Sequence, residues 1–519
     1  MGMALHEMIP ELILGMAAAV CFFLGAFPSV RRASRLTAWF ALIFAGAVAL
    51  FQSGWWHGAA ASEPWYAAFG SLFRLLAAGS GMVVLASMRP GAAEEHEAES
   101  VACLLSAVLG VMLAGGAADL IILFLGLELI SVASYILLYL DHDGPLPQES
   151  AGKYFYLSIL SSAMFLFGLS YVYGLGGSLR LDRLAYAWAG AAGVPGDPAL
   201  GAFATVLVFA GLAFKIAAVP FHFYAPDVYQ GTSHANAALL SVLPKAAGMA
   251  AIIKLLLAVM VGWGGPVWQA ALAVAALTIT VGNVIALWQT HLRRLLAYSS
   301  IAHAGFMLIG LTAAMTYRRL SHHPWDGSGA MLVYLIAYVI ATAGAFAALS
   351  ALRRGGRPVE RLDDLRGLAR SASGTPRFVA WSLAAFMFSL AGIPPLAGFW
   401  GKLAVFFSAL DVGAAPSENP LRSRLLWLAV IGAINAAIGA AYYLRVVGTM
   451  FFTEEERGES PPVAVNSLPA AVAVFVCLVL TLAIGVAPGG WFQAAHDASP
   501  TASRPVVEVF LDAAVLPVP

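Results

Sequence analysis

Charged residues are scarce in this chain of 519 residues. Only 11% of the residues are Asp, Glu, Lys or Arg, whereas 61% are hydrophobic. A soluble domain usually carries about 25% charged and about 45–50% apolar residues. The composition therefore excludes an ordinary soluble protein and predicts a chain that crosses a membrane many times. The formal net charge is zero, which gives no electrostatic reason to expect a nucleic-acid partner.

Cysteine and histidine are too sparse for the usual redox centres. The cysteines Cys21, Cys103 and Cys477 each stand alone in an apolar run, without a CxxC or Cys/His spacing. The sequence therefore gives no support for an iron–sulfur cluster, a zinc site or a disulfide framework. Buried haem commonly needs a pair of histidines, but of eleven histidines only His303 lies well inside an apolar segment. A haem- or quinone-bearing redox subunit is thus disfavoured. His303 is either a proton-relay element or a satisfied polar group, and Tyr298 near it is a weaker relay candidate.

Long apolar segments follow one another along the chain. Hydropathy predicts fourteen spans, with short loops apart from 175–200 and the arginine-rich 353–377. The spans lie at about 8–28, 36–54, 65–88, 100–116, 119–140, 152–174, 201–222, 234–261, 266–288, 294–315, 329–352, 376–410, 424–451 and 466–488. Loops after odd-numbered spans carry fourteen arginines, and the remaining loops with the C-terminal tail carry seven. The positive-inside rule then predicts cytoplasmic odd loops and two termini on the outside.

Two spans combine a lysine with a helix-breaking proline. The seventh, around FKIAAVPFH, holds Lys215 and Pro220, and the twelfth, LAGIPPLAGFWGKLAVF, holds Pro394, Pro395 and Lys402. Each is expected to form two half-helices, because proline removes a helical N–H and frees a carbonyl that water or a polar neighbour must satisfy. The spans are five apart and so run in opposite directions. Broken helices at corresponding positions of inverted halves are typical of secondary transporters.

Lysine is the rarer basic residue, and every lysine lies in a span or at its edge. Of 28 basic residues only five are lysines, namely Lys153, Lys215, Lys245, Lys254 and Lys402. Codon bias accounts for arginine-rich loops but leaves the membrane lysines unexplained. A lysine removed from water can lose its proton near neutrality, whereas arginine stays protonated, which favours a proton relay. Lys153 and Lys254 are the weaker candidates, because a lysine near a membrane face can extend to the interface.

One acid lies well inside a span, namely Glu128 in the fifth. A charge at mid-membrane costs about 2.5–3.5 kcal/mol on insertion scales. Pairing with Lys215 would offset this cost and keep that lysine protonated until the pair separates. The alternative is that the buried charges form ion pairs that only hold the helices together.

Three segments resemble a known membrane family. FKIAAVPFHFYAPDVYQG (214–231), LRRLLAYSSIAHAGFMLIG (292–310) and LAGIPPLAGFWGKL (390–403) are similar to the antiporter-like membrane subunits of respiratory complex I. The resemblance extends over about residues 100–450. PDVYQG together with a lysine in the twelfth span is typical of one subunit type, because a related type usually has glutamate there. YQGTSHANAALL departs from the relatives, which usually have a Gly-Ala-Pro-like turn near His234.

The resemblance implies an all-α polytopic fold with two inverted five-helix repeats, spans 4–8 and 9–13. The implied units are a three-helix segment (1–99), the two repeats (100–262 and 263–452), and a C-terminal helix and tail (453–519). It also implies relay roles for Glu128, Lys215, Lys245 and Lys402, without a cofactor in this chain. NADH, FMN, iron–sulfur clusters and quinone would belong to partner subunits, and the direct partners would be other membrane-arm subunits in a bacterial plasma membrane.

We therefore expect a proton-translocating subunit of complex I. The expected route runs from Glu128 through Lys215, Lys245 and a hydrated centre near His303 to Lys402. An Mrp-type cation/proton antiporter subunit shares both broken spans and both lysines, and a membrane-bound hydrogenase subunit is a further alternative. A structural scaffold of the membrane arm is the alternative without transport.

Overall fold

The computed structural model describes most of the chain. The described residues are 7–28, 30–53, 65–88, 96–141, 145–189, 197–259, 264–316, 326–371, 374–411, 420–454, 462–464 and 467–500. Among the arginines counted for orientation, Arg89, Arg318, Arg319, Arg457 and Arg504 lie outside these residues, as does the tail from 501 to 519.

The described chain is built almost entirely of α-helices. In chain order they are α1 Ile9–Gly25, α2 Ala33–Gln52, α3 Trp65–Ser87, α4 Glu97–Gly116, α5 Leu120–Leu140, α6 Pro145–Gly176, α7 Leu181–Ala189, α8 Pro198–Lys215, α9 Tyr224–Gln230, α10 His234–Ile252, α11 Gly264–Ala286, α12 Leu292–Thr316, α13 Gly327–Ser350, α14 Gly374–Ala391, α15 Ala397–Asp411, α16 Pro420–Phe452, α17 Leu468–Val486 and α18 Gly489–Asp497. A π-helical segment, Ile253–Val259, continues α10. Within the described residues, eleven helices are long and apolar enough to cross a membrane, and three apolar helices are shorter. The predicted all-α polytopic class is confirmed, whereas the count of fourteen spans and the inverted repeats stay predictions.

The helices differ in how much of their surface is buried. In α10 and α13 every residue is buried, so these helices lie in the middle of the bundle. Helices such as α2, α6 and α16 bury one face and expose large apolar side chains on the other, for example Phe40, Tyr156 and Trp427. An apolar outer surface of this kind fits a hydrocarbon environment.

Both predicted helix breaks are present. Helix α8 ends at Lys215 and α9 begins at Tyr224, with the Val219–Pro220 peptide between them and Ala217 at a φ of 56°. Helix α14 ends at Ala391, where Gly392 adopts a φ of 88°, and α15 begins after Pro394 and Pro395. The breaks position a lysine at the end of α8 and another near the start of α15.

A small antiparallel sheet lies in the arginine-rich connection after α13. Strands β1 (Leu352–Arg354), β2 (Arg357–Pro358) and β3 (Val463–Ala464) pair in the order β2-β1-β3. The sequence predicted a loop here, because strands of two or three residues leave no readable periodicity. The sheet joins this connection to the segment that follows α16.

Candidate functional site

Lys215 and Glu128 form the ion pair that the sequence suggested. Lys215 Nζ lies 3.0 Å from Oε1 of Glu128 on α5, and it also donates to Ser131 Oγ at 2.6 Å and Ser162 Oγ at 3.3 Å. Ser162 in turn donates to Glu128. The lysine side chain is only 4% exposed, whereas the glutamate side chain is 25% exposed. The pair therefore joins the interior of the bundle to its outer surface.

The break after Lys215 keeps most of its backbone groups bonded within the protein. The Phe214 carbonyl accepts from the Tyr224 hydroxyl at 3.0 Å and from the Ala217 N–H at 2.9 Å. The Val219 N–H donates to Thr278 on α11 at 3.0 Å. Polar neighbours from both sides of the break thus satisfy groups that the interrupted helix leaves free.

Lys245 on α10 is held by neutral groups. Its ammonium donates to the carbonyl and the hydroxyl of Ser300 on α12. It also lies 4.9 Å from the ring centroid of Tyr338, whose hydroxyl is 2.8 Å from the Ser300 hydroxyl and 3.0 Å from the Ser241 carbonyl. Within the described part of the chain, no carboxylate is paired with Lys245. A proton can leave such a lysine without the separation of an ion pair.

A small cavity separates Lys215 from Lys245. It is lined by both lysines together with tyrosines, among them Tyr154, Tyr224 and Tyr229. Its volume is about 10 Å³, which is room for about one water molecule. The cavity therefore has room for one water molecule beside the break, next to both lysines.

His303 on α12 lies between two tyrosine hydroxyls. Nδ1 is 2.7 Å from the hydroxyl of Tyr334, and Nε2 is 2.9 Å from that of Tyr443. The imidazole is buried, and Lys245 and Lys402 are both close enough to act on it electrostatically. His303 therefore occupies the middle of the row between the two lysines.

Lys402 on α15 reaches back to the second break. Its Nζ donates to the Ala391 carbonyl at 2.7 Å and lies 5.1 Å from the ring centroid of Phe306. Gly392 passes close to this side chain: a Cβ there would come within 2.7 Å of Lys402 Cδ. Position 392 thus needs a glycine for two reasons: its backbone is left-handed, and a Cβ would collide with the Lys402 side chain.

Three predicted relay residues lie outside this row. The Lys153 side chain is 43% exposed and pairs with Glu149 at 2.7 Å and Asp227 at 3.1 Å. Tyr298 is half-buried, and its neighbours Ser299 and Ser300 make the hydrogen bonds instead.

Lys254 differs from expectation, because it is buried and does not extend to an interface. It lies in the π-helical segment and donates to the Gly115 and Ala117 carbonyls at the end of α4. The carbonyl end of a helix stabilises a cation, which explains why the side chain turns inward.

Sequence reasoning missed a second buried ion pair. Arg74 Nε on α3 lies 2.7 Å from Glu11 Oε1 on α1, and the two side chains are 7% and 2% exposed. Glu11 lies so near the start of its helix that it looked like an edge residue. Arg74 could have revealed this pair from the sequence, because an arginine in the middle of a membrane span needs a partner.

The described residues contain no group of three or more His, Cys, Asp or Glu side chains arranged to hold a metal ion. The three cysteines are free thiols and are buried.

The fold and the buried row of titratable side chains define a multi-pass membrane protein of the transporter type. Residues 117–416 match the family model described as NADH:quinone oxidoreductase/Mrp antiporter, TM, and the chain belongs to this family. Its relatives include subunit N of NADH-quinone oxidoreductase from Paramagnetospirillum magneticum, which is 34% identical over an alignment of 491 residues that covers 92% of this chain and 94% of that protein. The PDVYQG segment and Lys402 agree with this subunit type.

Solved structures give the same grouping. A chain of respiratory complex I from Thermus thermophilus with bound aureothin superposes with a TM-score of 0.74 at 31% identity, covering 94% of this chain and 99% of that one. A chain of the Mrp complex from a Dietzia species superposes with a TM-score of 0.80 at 22% identity, covering 98% and 100%. The second likeness concerns the fold alone.

Proposed function

We propose that the chain is a proton-translocating membrane subunit of an NADH:quinone oxidoreductase in a bacterial plasma membrane. The observation that carries the proposal is the Lys215–Glu128 pair beside a helix break, with a cavity leading to Lys245. The likeness to the N subunits of NADH-quinone oxidoreductases supports the assembly to which the subunit belongs.

The proposed route follows the row of buried groups. When Glu128 moves away from Lys215, the lysine releases its proton more readily, because a lone ammonium is poorly solvated in an apolar interior. A water in the intervening cavity passes the proton to Lys245 after Lys245 has released its own proton and become a neutral amine. The Ser300 and Tyr338 hydroxyls extend the route from Lys245. The Tyr338 ring lies 5.2 Å from the His303 ring, and both side chains line the cavity beside the second helix break. Buried charges in a membrane protein are costly, and such a row fits an ion pathway better than an accidental placement.

From His303 the route continues to Lys402 and the outside. A second cavity of about 10 Å³ lies beside His303 and is lined by Tyr334, Ser389 and Gly398 at the α14–α15 break. It has room for about one water molecule between the imidazole and the broken helix. Lys402, held by the Ala391 carbonyl at the same break, is the exit-side group.

The driving signal is proposed to enter at Glu128. Its carboxylate is the member of the pair that reaches the outer surface of the bundle, where a neighbouring membrane-arm subunit can act on it. NADH, FMN, iron–sulfur clusters and quinone belong to other subunits in this proposal, and this chain contributes the translocase function. The fourteen spans, the repeats at 100–262 and 263–452, and outside termini complete the proposed topology.

The fold similarity to an Mrp complex chain keeps a cation/proton antiporter subunit as the second candidate. An antiporter subunit would move ions without NADH oxidation, and a membrane-bound hydrogenase subunit would respond to hydrogen. A structural scaffold would use its buried ion pairs to hold the membrane arm together and would move no ions.

The test is Lys215→Met in the complete NADH:quinone oxidoreductase, reconstituted in vesicles. Methionine removes the charge while roughly keeping the length of the side chain. We expect the complex to assemble, and NADH-driven proton uptake into the vesicles to fall by at least about tenfold. Lys153→Met is the matched control, because Lys153 is an exposed lysine outside the row. Unchanged proton uptake in Lys215→Met would exclude the relay, and failure of assembly in that variant alone would favour the scaffold.

A further inference from the structure

Helix α17 packs against the second helix break so closely that no side chain fits between them. It contacts α13, α14 and α15, and its buried Gly485 lies directly against the Pro395 carbonyl. A Cβ at position 485 would overlap that oxygen and lie 2.9 Å from Leu396 Cα. Both neighbours are backbone atoms, which cannot turn aside as the end of a flexible side chain can. The end of α17 therefore fits the break only because position 485 is a glycine.

A hydrogen bond joins the same glycine to α15. Trp400 Nε1 donates to the Gly485 carbonyl at 2.8 Å. This carbonyl lies in the last turn of α17, where a helix has no N–H group of its own to offer. The Trp400 ring also meets the ring of Phe492 on α18 edge-on, with the centroids 6.3 Å apart. One tryptophan thus links α15 to both C-terminal helices.

Three consecutive residues fix the rotation of α15. Trp400 binds α17, and Gly401 lies against α13, where a Cβ would come within 3.1 Å of Tyr334 Cα. Lys402 donates to the Ala391 carbonyl at the end of α14 at 2.7 Å. Neighbouring positions on a helix point about 100° apart, so these contacts approach α15 from three sides. A shift or turn of α15 would move the ammonium group of Lys402 off the Ala391 carbonyl.

We propose that Gly485 and Trp400 are positioning residues through which α17 holds Lys402 in the buried row. They act on Lys402 through the break at Pro395 and through the first turn of α15. This proposal rests on the proposed function, because it concerns the placement of the exit-side lysine. It gives α17, which follows both proposed repeats in the chain, a part in proton transfer.

The test compares Gly485→Ala with Gly448→Ala in the complete NADH:quinone oxidoreductase, reconstituted in vesicles. Gly448 is the matched control, because it is also a helical glycine but a Cβ there meets nothing within 4 Å. Gly485→Ala is expected to lower NADH-driven proton uptake per assembled complex by about tenfold, since a displacement of about 1 Å can slow a reaction by about 100-fold. A purely structural role would lower the amount of complex and leave the uptake per complex unchanged.

Hydrogen exchange at the break measures the displacement itself. The amides of Gly392 and Ile393 donate to the Phe388 carbonyl, both at 3.0 Å. Their exchange is expected to quicken in Gly485→Ala and to stay at the wild-type rate in Gly448→Ala. Trp400→Phe keeps an aromatic ring and removes the N–H group, so it serves as the second variant if Gly485→Ala does not assemble. It is expected to change both readouts in the same direction by a smaller amount.

Combining Gly485→Ala with Lys402→Met shows whether α17 acts through the lysine. If it does, the double variant takes up protons at the rate of Lys402→Met alone. A further loss in the double variant would overturn the proposal, as would wild-type uptake in both Gly485→Ala and Trp400→Phe while Lys402→Met is slow. Wild-type uptake in Lys402→Met would instead contradict the exit step of the proposed function, and this proposal with it.

Discussion

Lys215 Nζ and Glu128 Oε1 lie 3.0 Å apart, yet the two side chains differ sixfold in exposure, at 4% and 25%. The lysine is enclosed by serine hydroxyls and faces the interior cavity, whereas the glutamate reaches the surface of the bundle. An ion pair with one accessible member can be opened from outside while the other member stays enclosed in the bundle. This asymmetry suits a switch better than a structural link.

Glu128→Gln is expected to weaken this switch. The amide keeps the size of the side chain but removes the charge that stabilises the protonated Lys215. Removing one partner of a buried ion pair typically lowers the free energy of unfolding by about 3–5 kcal/mol. Because Glu128 is partly exposed, we expect a loss at the lower end of this range. NADH-driven proton uptake is expected to fall by at least about tenfold, measured with a pH-sensitive dye in vesicles.

The matched control for Glu128→Gln is Ser131→Ala, which removes one hydroxyl partner of Lys215 and leaves the ion pair intact. It is expected to reduce proton uptake far less. Equal losses in the two variants would show that packing around Lys215, and not the charge of Glu128, sets the rate.

Ser300→Ala tests the connection between Lys245 and the His303 centre. The Ser300 hydroxyl accepts from Lys245 and lies 2.8 Å from the Tyr338 hydroxyl, so its loss removes the bridging group. We expect slower proton uptake with normal assembly, together with a larger solvent deuterium isotope effect, because proton transfer becomes limiting. Ser408→Ala is the control, since that buried serine bonds only the Val405 carbonyl within the described residues. An isotope effect equal in both variants would argue against Ser300 in the route.

The contact between His496 and Asp326 predicts a pH-dependent attachment of α18. Asp326 caps α13, accepts from Ser499 at 3.0 Å, and lies 3.6 Å from His496 Nδ1. The interaction with Asp326 raises the pKa of His496, despite opposing partial burial. A raised pKa means that the contact is fully stabilising below the unfolded value of about 6.5 and is lost as the pH rises through the folded value.

Protection of the α18 amides against hydrogen exchange, corrected for the intrinsic pH dependence of exchange, checks this prediction. In the wild-type protein this protection is expected to fall as the pH rises through the raised pKa of His496. Asp326→Asn keeps a good helix cap but removes the charge, so the pH dependence of the corrected protection is expected to disappear. The same pH dependence in Asp326→Asn would rule out this ion pair as its cause.

The sequence was most informative where a residue type was rare. Lys215, Lys245, Lys402 and Glu128 were identified because a charge in a long apolar run is costly, and the breaks were identified from proline. Tyr334 and Tyr443 could not be assigned in the same way. A buried tyrosine in a helix is ordinary core material until the hydroxyl has a known partner, and that partner depends on which helices touch.

Short helices and strands were the elements that the sequence did not predict. The 175–200 connection contains α7, and the segment after 488 contains α18, but nine-residue helices are too short for a clear periodic signal. The β1–β3 strands were missed for the same reason. The positions of the long helices agree with the predicted apolar segments, because about twenty consecutive apolar residues leave little ambiguity.

The central claim is that Lys215 must give up its proton during each cycle, and Lys215→Arg tests it most directly. Arginine keeps the positive charge and a hydrogen-bonding partner for Glu128, but it does not deprotonate under these conditions. The measurement is the number of protons taken up per NADH oxidised by the complete complex in vesicles. We predict an assembled complex in which this ratio falls below the wild-type value. A ratio equal to that of the wild-type complex would contradict the claim that Lys215 carries the proton.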